Sequence, residues 1–243
     1  EARTFGMESL FRQCGIYSHV GQRYEPVDSD KMLYYREAAE GQILEEGITE
    51  AGCMASFLSA GTSYSTRTIE MAPIFLYYSM FGFQRIGDLI WSACDARAKG
   101  LMIGATSGRT TLSGEGLQHQ DGHSHLWASN YPSIRPYDPA YAYEVVVLTM
   151  HALKALHADG EQAIYYLTVS NENQPMPDMP DGVAEQIVRG IYPVAEREGQ
   201  SNTAPRVTLL GSGAILFETL RAADLLAERF GVASTVYSVT SYT

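Results

Sequence analysis

Two hydrophobic periods alternate along most of this chain. Between residues 42 and 59, Leu44, Ile48, Ala51, Ala55 and Leu58 recur at spacings of three and four, which predicts a helix. Pro73 then opens a short apolar run, Ile74-Phe75-Leu76-Tyr77-Tyr78. It is too short for a helix and aromatic enough for a buried strand. The helical period returns over 84–98, where Ile86, Leu89, Ile90 and Ala93 fall on one side, and Gly100 is expected to end that helix. Leu101-Met102-Ile103-Gly104-Ala105-Thr106 predicts the next strand.

Residues 107–130, with glycine at 108, 114, 116 and 122, predict a loop, and Ile134-Arg135-Pro136-Tyr137 a short extended piece. Asp138-Pro139 reads as a helix N-cap followed by proline in the first turn, with the helix running from about 140 to 157. Ala163 to Val169 predicts a further strand. Strands and helices alternating at these lengths imply an α/β fold, with a mostly parallel sheet flanked by helices. Pro175, Pro177 and Pro180 interrupt the pattern, and residues 196–205 are polar and irregular. Arg206-Val-Thr-Leu-Leu-Gly-Ser-Gly then opens a new strand–turn–helix–strand unit. The expected organisation is a first domain over 1–195, a linker over 196–205, and the start of a second domain over 206–243. Residues 20–36 are polar and read as a long surface loop, a kind of segment that is often functional.

Composition narrows the function classes. The formal net charge of -11 argues against nucleic acid as a main partner, because phosphate binding needs a basic surface. No run of about 18 apolar residues is present, so no membrane span is expected. The polar N-terminus has no signal-peptide pattern. Cys14, Cys53 and Cys94 are few, odd in number and widely spaced, which reads as reduced thiols in a cytoplasmic protein. The first residue is Glu, and the last ten form a strand pattern with nothing after it, so the chain is expected to be a fragment of a longer polypeptide.

Three strings carry candidate chemistry. In Glu46-Gly-Ile-Thr-Glu-Ala-Gly52, a helix would place Gly47, Glu50, Met54 and Phe57 on one face. A carboxylate among such neighbours is expected to be desolvated and able to share a proton near neutral pH. A surface glutamate at a partner interface fits the same pattern. In Tyr77-Tyr-Ser-Met-Phe-Gly-Phe-Gln-Arg85, Tyr77, Tyr78, Phe81 and Phe83 gather at a strand end, where α/β sheets present ligand sites. One ring can stack on a heteroaromatic group, or all can pack in the core. Arg85 can pair with a carboxylate or phosphate. In Gly114-Glu-Gly-Leu-Gln-His-Gln-Asp-Gly-His-Ser-His125, the spacing of His119, His123 and His125 is not that of a zinc site, so no metal is expected there. Proton transfer or substrate hydrogen bonding suits a glycine-rich loop better, and Glu115 stands four residues before His119, close enough to orient it. Gly211-Ser-Gly213 is a weak dinucleotide signal, since Leu216 occupies the third glycine position.

Almost the whole chain resembles the homodimeric-type pyruvate dehydrogenase decarboxylating component of bacterial pyruvate dehydrogenase complexes. The resemblance runs from Glu-Ala-Arg-Thr-Phe-Gly-Met-Glu-Ser-Leu-Phe-Arg-Gln at the start through all three strings above. The looser pattern Asp-Gly-x-Ser-His, then Arg-Pro-x-Asp, is similar to transketolases generally. The resemblance implies a first domain that binds the aminopyrimidine half of thiamine diphosphate and the beginning of a transketolase C-terminal domain. Magnesium and diphosphate ligands are expected outside this fragment. It further implies that Glu50 hydrogen-bonds the N1′ nitrogen and so assists removal of the thiazolium proton. Phe81 would stack on the pyrimidine with Tyr78 and Arg85 nearby. His119 and Glu115 would assist proton transfer or substrate positioning. His125 matches the transketolase histidine of its loop, with His123 beside it, and residues 20–36 would order over the site. The implied partners are pyruvate, a second copy of the chain, and the lipoyl domain of dihydrolipoyl acetyltransferase. Another thiamine diphosphate enzyme, such as a transketolase, or a non-catalytic assembly subunit of this fold are the alternatives.

Overall fold

The computed structural model describes residues 7, 9–27, 35–105, 107, 116–201 and 203–243. The centre is a four-stranded parallel sheet in the order β3-β4-β6-β5, formed by Ile74–Tyr78, Gly100–Ala105, Ile164–Thr168 and Ile134–Tyr137 respectively. The α/β expectation holds. A shorter parallel pair, β1 (Ile16–Tyr17) and β2 (Glu37–Ala38), follows α1 (Ser9–Cys14). Residues 28–34 of the expected 20–36 loop lie outside the described residues.

Both faces of the central sheet are buried, as the continuous apolar strands require. Along β6, Ile164 and Tyr166 point to one side, and Tyr165 and Leu167 to the other. The first side packs against α2 (Glu50–Gly61), α4 (Phe83–Asp95) and α5 (Ser124–Ala128) through Met54, Phe57, Phe83, Ile86, Ile90 and Ala128. The second packs against α6 (Ala142–His157) and α7 (Ala184–Arg189) through Leu148, Ala152, Leu156 and Ile187. Each of the larger side chains among these contributes roughly 1.5–3 kcal/mol by leaving water. The short α3 (Ser63–Thr66) follows α2.

At the opposite end from the strand C-termini, the buried Lys99 ammonium donates to both Glu70 oxygens at 3.0 and 3.1 Å and to Leu156 O at 3.0 Å. His157 Nδ1 meets the same carboxylate at 3.2 Å. The Lys99 hydrogen bond, with His157 assisting, holds the Glu70 carboxyl below the ordinary glutamate value.

A second sheet has the order β7-β9-β8, with β7 (Ile191–Arg197) antiparallel to β9 (Ala233–Val239) and β8 (Arg206–Gly211) parallel to it. The helix α8 (Ile215–Phe230) covers it through Leu216 and Ala223. β7 precedes the polar stretch 196–205 for most of its length yet pairs entirely within this sheet.

Several local expectations differ. The first helix starts at Glu50, not near 42, because Thr49 caps it by accepting from Gly52 N at 3.2 Å. Leu44 and Ile48 therefore stand exposed before it. Gly100 begins β4 and does not end α4, whose C-cap is Ala96. Residues 124–128 are helical within the expected loop. The cap of α6 is Tyr141, with Glu144 completing a capping box, and Asp138 is used elsewhere.

Candidate functional site

The candidate site lies along the C-terminal ends of the parallel strands, where ligand crevices form in open α/β sheets. β3 ends at Tyr78, and the chain turns through a short 3-10 segment, Ser79–Phe81, into α4. The turn is tight: a Cβ on Gly82 would lie 2.2 Å from Tyr77 Cε2. Glycine at this position allows Phe81 and Arg85 to emerge side by side above the buried Tyr77.

Five sequence-predicted residues meet here. Arg85 Nη1 lies 3.2 Å from Glu50 Oε2 and 3.3 Å from Oε1, and the same guanidinium sits 4.0 Å from the centre of the Phe81 ring. The His119 ring stacks on Tyr78 at 5.0 Å and meets Phe81 edge-on at 5.4 Å. Tyr78 and Phe81 are in edge contact at 6.2 Å. Glu50, Arg85, Phe81, Tyr78 and His119 thus form one contiguous cluster, although they are spread over some seventy positions of sequence.

Glu50 is the first residue of α2, with its side chain 15% exposed. Its carboxyl group stands at the helix N-terminus and pairs with Arg85. The expected face of Gly47, Glu50, Met54 and Phe57 is not formed, because Gly47 precedes the helix with φ of +74°. Met54 and Phe57 point into the core, while Glu50 faces Arg85. The carboxylate is paired rather than isolated among apolar groups.

Of the aromatic string, Tyr77 and Phe83 belong to the core, and Tyr78 and Phe81 are half-buried at the site. Burial, then the charge of the neighbouring Tyr166 phenol, raises the Tyr77 hydroxyl well above its ordinary value. Glu115 lies outside the described residues.

The loop histidines separate. His119 closes a 3-10 turn beside Tyr78, whereas His123 is exposed at the start of α5. His125, on α5, is 2.6 Å from Thr168 Oγ1 through Nε2. Asp121 fixes this corner: its Oδ1 accepts from His123 N at 3.0 Å and Ser124 N at 3.1 Å, and its Oδ2 from the Ser124 hydroxyl. Among the described residues, no three His, Cys, Asp or Glu side chains converge in a metal-binding group.

Sequence reading missed Asp138, Thr168 and Ser212. Asp138 Oδ1 accepts from Thr168 Oγ1 at 2.6 Å, and Oδ2 accepts from Ser212 Oγ at 2.9 Å. The Arg-Pro-x-Asp string contained the signal for Asp138, and Gly211-Ser-Gly213 marked the turn that holds Ser212, but nothing local marks Thr168 or the meeting of the three.

The cluster fits an aminopyrimidine. It offers a carboxyl group beside a half-buried aromatic ring that an exposed cation covers. Arg85 is 51% exposed. An exposed cation–π contact and an exposed ion pair are each worth roughly 0–1 kcal/mol, so moving the guanidinium aside costs little.

Residues 1–177 match the family described as pyruvate dehydrogenase E1 component middle domain. A pyruvate dehydrogenase E1 component of Pseudomonas aeruginosa is 56% identical over the full chain, and one of Escherichia coli K12 is 54% identical over the full chain. This chain spans 27% of the length of each. A transketolase structure from Campylobacter jejuni superposes with a TM-score of 0.63 at 20% identity, over 86% of this chain and 29% of that one, which supports the fold. The chain belongs to the pyruvate dehydrogenase E1 component middle-domain family.

Proposed function

We propose that this chain is part of an E1 component that oxidatively decarboxylates pyruvate with thiamine diphosphate. The acetyl unit then passes to the lipoyl group of a dihydrolipoyl acetyltransferase. The observation that carries this reading is the single guanidinium joining Glu50 to the Phe81 ring at the sheet edge. The four-stranded sheet with its helices serves as the unit that holds the aminopyrimidine half of the cofactor. The three-stranded sheet is the start of the C-terminal domain. Magnesium and diphosphate are held outside this chain, and a second copy completes the site in a homodimer.

The residues have distinct tasks. Glu50 shares a proton with a ring nitrogen of the aminopyrimidine, whose lone pair accepts it from the carboxyl group. Phe81 stacks on the ring once Arg85 swings away. The Tyr78–His119 stack walls the same space. His119, with Glu115 nearby in sequence, moves a proton or orients the keto acid. The cofactor, when bound, supplies the electron sink for decarboxylation.

Glu50→Gln in the full-length protein tests this. Gln keeps the shape but loses the carboxylate. Pyruvate- and thiamine diphosphate-dependent reduction of an artificial acceptor is expected to fall about 100-fold or more, a size typical of a lost proton-transfer group, with the dimer intact. Unchanged turnover sinks the role of Glu50.

A further inference from the structure

A second hydrogen-bonded line runs beside the Glu50–Phe81 cluster and crosses from one sheet to the other. Its members are His125 on α5, Thr168 at the end of β6, Asp138 just after β5, and Ser212 in the turn from β8 to α8. Thr168 is fully buried. Asp138 is fixed from three directions. Its N–H donates to Thr240 O at 2.8 Å, its carbonyl accepts from Gly213 N at 3.0 Å, and Ser212 donates to its Oδ2 at 2.9 Å. A Cβ on Gly213 would lie 2.5 Å from this carboxylate, so the turn fits against Asp138 only as glycine.

The proton count along the line is constrained. Thr168 Oγ1 has one hydrogen and faces three groups: Asp138 Oδ1 at 2.6 Å, Tyr137 O at 3.4 Å, and His125 Nε2 at 2.6 Å. A carboxylate and a backbone carbonyl only accept. The threonine proton therefore goes to one of them, the shorter contact being the carboxylate. A lone pair then faces His125, so Nε2 must carry the hydrogen. In neutral His125 this leaves Nδ1 as the acceptor. The ring is 32% exposed and stands at the strand edge that forms the site. Asp138 Oδ1 lies 3.9 Å from Nε2, near enough to stabilise a positive ring.

We propose that Thr168 and Asp138 are positioning residues that fix the hydrogen of His125 on Nε2, so that Nδ1 is the atom that exchanges a proton with the keto oxygen of the substrate. As negative charge gathers on that oxygen, the N–H bond at Nδ1 of the imidazolium breaks, its electron pair stays on Nδ1, and an O–H bond forms with the electron pair of the former carbonyl π bond. Asp138 faces the imidazolium before that transfer, and the neutral ring left behind keeps its hydrogen on Nε2. The logic is that of an acid orienting a histidine, with a threonine hydroxyl between them. Ser212 ties the arrangement to the second sheet, so the histidine of one sheet is set in part by a turn of the other.

The kinetic part of this inference rests on the pyruvate reading above. Full-length Thr168→Val, Thr168→Ser and Asp138→Asn are compared for kcat and KM in the acceptor assay. Valine keeps the shape of threonine but not its hydroxyl, whereas serine keeps the hydroxyl. Asparagine would turn its amide N–H toward Thr168 and its oxygen toward Ser212, reversing the proton order along the line. Thr168→Val and Asp138→Asn are expected to lose about tenfold or more in kcat, with KM for pyruvate within about threefold. Thr168→Ser is expected to stay within about threefold of wild type in both. Equal loss in the serine and valine variants, or kcat retained in valine, overturns the relay, and if the valine variant fails to fold, the serine and asparagine variants decide between the same outcomes.

The tautomer is read separately, from nitrogen NMR of the full-length protein with labelled histidine, His125 being assigned by its loss in His125→Asn. A hydrogen on Nε2 is expected, and one on Nδ1 with Nε2 bare overturns the inference whatever the substrate. A wild type with that tautomer but no turnover of pyruvate removes the functional reading alone.

Discussion

Glu144 joins the two sheets, and its removal is expected to loosen them measurably. The residue is fully buried. Its Oε2 accepts from the backbone N–H groups of Ala140 and Tyr141, and its Oε1 accepts from the hydroxyls of Tyr192 at 2.6 Å and Ser238 at 2.7 Å. One end thus caps α6, and the other holds β7 and β9. Leucine in its place fills much of the volume and leaves all four donors without this acceptor. Tyr192 keeps the Tyr143 hydroxyl at 2.7 Å, so its loss is partial. With about 1 kcal/mol for the cap and about 1–2 kcal/mol for each hydroxyl, Glu144→Leu should cost about 3–5 kcal/mol. At an m-value of about 3 kcal/mol per M, the urea midpoint falls by about 1–1.7 M.

The asymmetry of buried hydrogen bonds gives a second expectation. Replacing both partners is far milder than orphaning one. Adding Tyr192→Phe and Ser238→Ala to Glu144→Leu should therefore recover about half of the loss, since the cap donors and the Tyr143 hydroxyl are then left without these partners. Urea unfolding of the purified chain, followed by tyrosine and tryptophan fluorescence, reads both. A Glu144→Leu midpoint within about 0.2 M of wild type, about 0.6 kcal/mol at that slope, refutes the latch, as does a triple variant no more stable than the single one.

Two further outcomes follow from the packing. Gly82→Ala puts a methyl 2.2 Å from the Tyr77 ring, which is buried and cannot yield. An overpacking cost of about 1–3 kcal/mol lowers the thermal midpoint by roughly 3–10 °C and displaces Phe81, so thiamine diphosphate-dependent turnover falls as well. Unaltered melting contradicts the clash. The Glu70 carboxyl is held below its ordinary value of 4.5 first by the Lys99 hydrogen bond. A depressed acid adds stability above that value and loses it as pH falls through the folded one. Wild type is accordingly expected to lose stability more steeply than Glu70→Gln below about pH 4.5, and parallel acid unfolding curves would contradict this.

The central sheet was legible because its strands are buried on both faces and read as unbroken apolar runs. β3 spans Ile74–Tyr78, as its pattern requires, and β5 and α6 lie close to their expected places. The start of α2 was misplaced because Leu44 and Ile48 happen to keep the helical spacing while lying outside the helix. The capping threonine at 49 was the better signal, and capping chemistry outweighed periodicity there. β7 was not read as a strand, and its Pro193 is unusual in one. On an edge strand with a register shift at Pro193/Ala195, proline is tolerated.

Within the site, the resemblance singled out Glu50, Tyr78, Phe81, Arg85 and His119, and the fold brings them together. The expected apolar cradle around Glu50 depended on a helix that does not extend that far. Asp138 was read as a cap because Asp-Pro commonly opens helices. Its true neighbours, Thr168 and Ser212, are set by strand order, which no local pattern contains.

Pyruvate-dependent reduction of an artificial electron acceptor by the full-length protein, with and without thiamine diphosphate and magnesium, tests the central claim most directly. Turnover that requires the cofactor and is lost in Glu50→Gln is the predicted result. A folded dimer that binds the cofactor yet leaves pyruvate untouched would contradict the account.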